Sequence, residues 1–269
     1  MRTAAAAGAP EPDRWVPGDA SVVNTTEFLM SRIALEDIIE YTAMGAFVGV
    51  AGTGKTFTFR VLVEELEDVR VVWLEFEHEP TDLHMAQVLA EKLIGERLSG
   101  RRYDISARIL DVLQEYGDDK RLLVVIDEAQ RLTTKNFEYL RYLHDHAQSG
   151  FSLALLGGNN AWQKIDSEPM LESRIFRRVR FKRMTPDVVV KTIPNYHPMY
   201  EDMSEDLIGR IDLYCDGLFR RWAQVTTSIL KMHERRNKKL VDPELAVIAA
   251  KLVTDNDHEK VEWMEPMTD

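Results

Sequence analysis

Gly49-Val50-Ala51-Gly52-Thr53-Gly54-Lys55-Thr56 spells G-x-x-x-x-G-K-T, the spacing of a phosphate-binding loop. An apolar run, Ala46 to Val48, leads into it, and a helix-compatible stretch, Phe57 to Leu66, follows. The loop therefore falls at a strand-to-helix turn, as the motif requires. Its glycines let successive backbone amides turn inward around an anion. Lys55 can reach the β- and γ-phosphates of a nucleotide, and the Thr56 hydroxyl can ligate Mg²⁺. The predicted nucleotide-binding segment is Gly49 through Phe57, including Val50, Ala51, Gly52, Thr53 and Gly54. A plain glycine-rich turn is the bland alternative, and the flanking elements weigh against it.

Outward from the loop, strand and helix patterns alternate. Val69 to Phe76 is β-branched and apolar enough for a buried strand, and Asp82 to Leu98 carries apolar residues at helical spacing. A Ser-Gly-Arg-Arg loop at 99–102 precedes an amphipathic helix from Ile105 to Glu115. Leu122 to Ile126 is a continuous apolar run, the signature of a central parallel strand covered on both faces. Phe137 to Ala147 reads as helix, Ser152 to Leu156 as strand, and Val179 to Phe181 as a shorter strand. This alternation predicts an α/β doubly wound parallel sheet. After Thr185-Pro186 the strands stop. Asp187 to Ile193, Ser204 to Cys215, Leu218 to Arg236 and Pro243 to Val253 all favour helix. The expected organisation is a disordered leader at 1–20, a nucleotide-binding core at 21–186, an α-helical lid at 187–253 and an acidic tail at 254–269.

A chain of 269 residues suits one α/β core with a small helical module, and a 45% hydrophobic fraction can supply its core. No apolar run approaches the ~18 residues that span a bilayer, so no membrane role is expected. The single cysteine, Cys215, excludes an intramolecular disulfide and a multi-cysteine zinc site, and fits a cytoplasmic location. The net charge of −11 argues against a protein that coats DNA generically. The charge is uneven, however. Between Leu171 and Leu240, fifteen Lys or Arg face nine Asp or Glu, giving +6 and leaving −17 for the remainder. A local nucleic-acid surface is compatible with that asymmetry, as is a solvated basic helix face.

Leu122-Leu123-Val124-Val125-Ile126-Asp127-Glu128 is a hydrophobic strand ending in two acids. At that position Asp127 can hold Mg²⁺ and Glu128 can polarise the water that attacks the γ-phosphate. The next strand ends in Gly157-Gly158-Asn159-Asn160. If it lies between the acid-bearing and loop-bearing strands, Asn159, or else Asn160, can sense the γ-phosphate or orient the water. The turn reading of Gly-Gly-Asn-Asn stays open. Ser173-Arg174 precedes the last strand, and a guanidinium from a neighbouring subunit can stabilise charge developing on the γ-phosphate. Arg174 is the first candidate, with Arg177 and Arg178 as alternatives. Gly217-Leu218-Phe219-Arg220-Arg221 opens a lid helix from which Arg220 could fold over the nucleotide.

These elements, in this order, resemble the AAA+ ATPases across roughly Val22 to Leu252. Ile126-Asp127-Glu128-Ala129-Gln130-Arg131-Leu132, Leu140-Arg141-Tyr142-Leu143-His144-Asp145 and Leu156-Gly157-Gly158-Asn159 are similar to the transposition-regulator branch typified by TnsC, TniB, MuB and IstB. The resemblance implies an ATP- and Mg²⁺-dependent homo-oligomer, a ring or helical filament on double-stranded DNA. It also implies a transposase partner and slow hydrolysis that governs assembly and disassembly. No appended DNA-binding domain is legible, so DNA contact would fall to the core itself. Arg101 and Arg102, Lys135, and Arg235 and Arg236 within the basic run at 235–239 are the candidates, through backbone phosphates. Lys and Arg at a helix end also offset the helix dipole, so the last group has a structural reading as well. The competing function is a signalling or scaffold ATPase acting on a protein partner without nucleic acid, which the acidic charge favours. A two-core helicase would need a second RecA-like core, and none is legible. The tail around Trp263-Met264 could dock a partner.

Overall fold

The computed structural model describes residues 17–116, 120–146, 150–236 and 243–254, without the side chains of 233–236, 245 and 254. Residues 1–16 of the expected leader and 255–269 of the expected tail, with Trp263 and Met264, lie outside the described residues. Two units divide the described chain: residues 26–51 with 55–181, and residues 17–25, 52–54 and 182–254.

The first unit is built on five strands: β1 (Met44–Gly49), β2 (Val69–Glu75), β3 (Arg121–Asp127), β4 (Ser152–Gly157) and β5 (Ile175–Phe181). All pairings are parallel, in the order β2-β3-β4-β1-β5. Seven helices accompany them: α1 (Thr26–Glu40), α2 (Lys55–Glu64), α3 (Asp82–Ile94), α4 (Arg102–Leu113), α5 (Thr134–His146), α6 (Asn159–Asp166) and α7 (Pro169–Glu172). Alternation along the strands sends side chains to two cores. Leu122, Val124 and Ile126 of β3 pack with residues of α3, α4, α5 and α6, whereas Leu123 and Val125 pack with residues of α1 and α2. Burial on both faces explains why the central strands read as unbroken apolar runs.

The strand carrying Gly157-Gly158-Asn159 lies between the acid-bearing and loop-bearing strands, so the condition for the Asn159 reading is met. The structure differs from the sequence expectation at two places and adds one helix. The last strand begins at Ile175 rather than Val179, because an edge strand pairs on one side only and tolerates Arg177, Arg178 and Arg180 along it. Arg102 belongs to the first turn of α4, with Arg101 at its N-cap position, rather than to the preceding loop. Helix α1 was not anticipated, since exposed Leu29, Met30 and Ile33 blur its apolar stripe.

The second unit contains α8 (Pro186–Thr192), α9 (Glu205–Cys215), α10 (Phe219–Arg236) and α11 (Pro243–Thr254) around a core that includes Tyr200, Ile208, Trp222 and Val225. Ala20 and Val23 pack on that core, and the Ser21 amide donates to the Tyr196 carbonyl at 2.8 Å. The loop apex 52–54 groups with this unit, where the Arg220 amide donates to the Gly52 carbonyl at 3.0 Å. The turn that starts α10 is held by Asp212, whose Oδ1 accepts the Gly217 amide and the Trp222 indole N–H, each at 3.0 Å. Asp212→Ala leaves two buried donors without this acceptor. The expected cost is roughly 2–4 kcal/mol in urea unfolding, whereas Asp212→Asn, which keeps the oxygen, should lose much less. Equal stability of the alanine variant and wild type would remove Asp212 from this role.

Candidate nucleotide-binding site

Strand β1 delivers the chain into the phosphate-binding loop and α2 leaves it at Lys55. Gly52 and Gly54 stand at φ +81° and +95°, a left-handed backbone that residues with a Cβ rarely adopt. Turns of this hand gather backbone amides into an anion-binding concavity at a helix N-terminus. The Lys55 ammonium donates to the Gly49 carbonyl at 3.0 Å and the Val50 carbonyl at 2.9 Å, which holds its stem along the loop. Phe57 is exposed on the first turn of α2.

The acids sit at the carboxyl end of β3, where ligands of open parallel sheets are bound. Asp127 is buried; its carboxylate accepts the Glu128 amide at 2.8 Å, and the Thr56 hydroxyl stands near enough to favour its charged form. Burial nevertheless pushes the Asp127 carboxyl above its ordinary range, with the neighbouring Glu128 charge adding to the effect. Glu128 adopts φ 55°, ψ 38°, a left-handed conformation that costs a non-glycine residue about 1–2 kcal/mol.

The register places Glu75, the last residue of β2, directly beside Asp127. Burial pushes its carboxyl up too, followed by the charges of Asp127 and Glu128, while Arg131 and Arg60 oppose the shift. No group of three or more His, Cys, Asp or Glu among the described residues is arranged to hold a metal by itself. The Asp127 carboxylate and Thr56 hydroxyl fit a different case, in which they would hold Mg²⁺ together with a bound phosphate.

Thr56, Asp127 and Glu128 thus lie close together at the carboxyl end of β3. Asn159 and Asn160 open α6 with exposed side chains. Arg174 is engaged by its own chain, its guanidinium donating to the two Asp145 oxygens at 3.0 and 3.3 Å. This pairing holds the Asp145 carboxyl below its ordinary range. Arg177 pairs with Asp37 at 2.6 Å, and Arg178 with Glu172. Such half-exposed pairs contribute little to stability, so each arginine can exchange its partner cheaply.

Among the candidate DNA contacts, Arg101, Arg102 and Lys135 are exposed. The Arg102 guanidinium lies over the Tyr139 ring, 5.5 Å from its centroid, one turn along α5 from Lys135. Arg235 and Arg236 fall in the last turn of α10, but their side chains lie outside the described residues, as does all of 237–239.

The sequence assigns no role to two further residues of the site. Glu75 could have been found only by knowing that β2 and β3 pair with their last residues level. Gln130, two residues beyond Glu128, donates from Nε2 to a Glu128 carboxylate oxygen and accepts the Gly158 amide at 2.8 Å. No periodicity marks it.

Residues 39–165 match the family model described as an AAA domain. A potential ATP-binding protein of Staphylococcus aureus is 26% identical over 190 residues, covering 61% of this chain and 69% of its own length. Among solved structures, Cdc6p from Pyrobaculum aerophilum is similar at TM-score 0.73 and 20% identity, over 94% of this chain and 73% of that one. The Aeropyrum pernix ORC1 protein, solved in complex with DNA, is similar at TM-score 0.65 and 18% identity, over 89% and 68% of the two chains. The Holliday junction branch migration motor RuvB of Thermotoga maritima is similar at TM-score 0.54 and 14% identity, over 86% and 70%.

The raised Asp127 carboxyl has a stability consequence. The unfolded chain releases this proton at a lower pH than the folded chain, so the contribution is favourable at low pH and is lost as pH rises through the folded pKa. Asp127→Asn should therefore raise the thermal midpoint of the nucleotide-free protein at pH 7, with the gain fading as pH falls through the carboxyl range. A midpoint at pH 7 no higher than wild type would show that burial of this charge carries no cost.

Proposed function

We propose that this chain, which has the α/β fold of the AAA+ P-loop NTPases, is an ATPase that assembles on duplex DNA and regulates DNA transposition by recruiting or activating a transposase. The observation that carries the ATPase reading is the approach of the Thr56 hydroxyl, at the end of the phosphate loop, to the Asp127 carboxylate at the end of the acid-bearing strand. Around it, Lys55 and the loop amides of 49–56 hold the phosphates, and Thr56 and Asp127 hold the cation. Bound Mg-ATP supplies the transferable γ-phosphoryl group and a divalent charge that offsets its oxygens.

Glu128 orients and polarises the attacking water, Asn159 lies at the end of the adjacent strand, and Arg174 is assigned to the site of a neighbouring subunit. Arg220 remains the lid-side candidate, with its amide on the Gly52 carbonyl. A homo-oligomer in ring or filament form follows from the Arg174 assignment, since the hydrolytic site is then completed between subunits.

Exposed Arg101, Arg102 and Lys135, with Arg102 at the start of α4 lying over the ring of Tyr139 on the same helix as Lys135, support the duplex-DNA reading. The Asp-Glu-Ala-Gln strand end and the Leu-Arg-Tyr-Leu-His-Asp helix support the transposition branch. The net charge of −11 favours the second reading, a signalling or scaffold ATPase with a protein partner. No helix of the described residues is long and apolar enough to cross a membrane.

Glu128→Gln should retain ATP binding and lose turnover by at least about 100-fold, because the loop and cation ligands remain. Normal hydrolysis in that variant removes Glu128 from its role. With a non-hydrolysable ATP analogue, the chain should bind duplex DNA at low salt and release it as salt rises. Joint Arg101→Ala and Arg102→Ala substitution should reduce the log–log salt slope by about 2. Nucleotide-independent absence of duplex binding at low salt would favour the protein-partner reading.

A further inference from the structure

Gln130 sits in the short 3-10 turn Ala129–Arg131, immediately after the strained backbone of Glu128. Its carboxamide spans two parts of the site, donating to the Glu128 carboxylate through Nε2 and accepting the Gly158 amide at Oε1, 2.8 Å away. Chemistry fixes which end is which. A carboxylate can only accept and a backbone N–H can only donate, so a flipped amide would satisfy neither partner.

The turn is also anchored from outside. Lys164 of α6 donates to the Gln130 carbonyl at 2.7 Å and the Leu132 carbonyl at 2.9 Å, and Arg131 donates to the Phe76 carbonyl beyond β2. On the β4 side the fit is close, because a Cβ at Gly157 would stand 2.8 Å from the Gln130 Oε1. Gly157 therefore leaves the room that the Gln130 carboxamide occupies.

We infer that Gln130 is a positioning residue for hydrolysis, aligning the Glu128 carboxylate with the end of β4 where Asn159 begins. The inference rests on the reading of Glu128 as the water-polarising group. A glutamate side chain samples several rotamers, whereas polarising one water requires one of them. A hydrogen bond to an ionised oxygen is strong enough to select that rotamer, and it engages one carboxylate oxygen, leaving the second for water. Because the same carboxamide holds the Gly158 amide, a shift at the end of β4 would be felt by Glu128. Gln130 thereby links the residue next to the γ-phosphate sensor candidate with the residue that activates water.

Two substitutions separate the two bonds. Gln130→Ala removes both. It should lower kcat by about 10–100-fold with KM for ATP within about twofold, and speed deuterium exchange of the Gly158 amide in nucleotide-free protein. Gln130→Glu keeps an acceptor for Gly158 but sets a carboxylate against Glu128. Here Gly158 exchange should stay slow while kcat still falls, with the thermal midpoint checking that both variants fold. Wild-type kcat in Gln130→Glu, or unchanged Gly158 exchange in Gln130→Ala, overturns the inference. If Glu128→Gln hydrolyses ATP normally, the reading of Glu128 fails and this inference fails with it. If Glu128→Gln is inactive and the Gln130 variants match wild type, only the inference fails.

Discussion

The contact between the Thr56 hydroxyl and the Asp127 carboxylate is the constraint on which the rest of the site depends. It joins the first turn of α2, which follows β1, to the end of β3, and β4 lies between those two strands in the sheet. Neither partner is in a comfortable place alone. Asp127 is 5% exposed, and burial raises its carboxyl despite the nearby Thr56 hydroxyl and the Glu128 amide that it accepts. A buried anion beside two other carboxylates is an arrangement that a divalent cation would relieve. The stability lost to this charge is localised at the position where the proposed ligand would recover it.

Rigidity around that anion comes from the sheet and from the turn after β3. The apolar residues of β3 are fully buried on two faces, so the strand cannot slide without breaking both cores. At Glu128 the chain adopts a left-handed conformation, then enters a turn pinned by Lys164 and Arg131. Backbone strain of this kind persists only where surrounding contacts determine it, and here those contacts come from α6 and from the segment after β2. The carboxylates of Glu75, Asp127 and Glu128 are thereby kept together despite their mutual repulsion.

Most of this fold was legible because its information is local. The spacing of the glycines, Lys55 and Thr56 marks the loop, and the unbroken run Leu122 to Ile126 marks a strand covered on both faces. Edge elements were less legible. Charges interrupt the apolar pattern of β5, and exposed Leu29, Met30 and Ile33 blur that of α1, so neither element shows a clean period. The parts taken by Glu75, and by Gln130 within its Asp-Glu-Ala-Gln motif, are unmarked in the sequence for another reason. Their place in the site depends on strand register and on a turn conformation, which no spacing in the linear chain encodes.

Charge placement separates the two surfaces that the proposed function needs. The nucleotide end of the sheet gathers carboxylates, whose repulsion favours a cation at that end. Arg101, Arg102 and Lys135 are set instead at the starts of α4 and α5, where Arg102 rests on the Tyr139 ring. A guanidinium stacked on an aromatic face loses little freedom and keeps its N–H edge open to a phosphate. A net charge of −11 then has a physical role beside such a patch. It opposes indiscriminate adsorption to DNA, so that affinity would come from several subunits presenting the same few cations in register. Under the proposed function, binding by a single chain would be weak and binding by an assembly strong, which would make assembly the quantity for ATP to control.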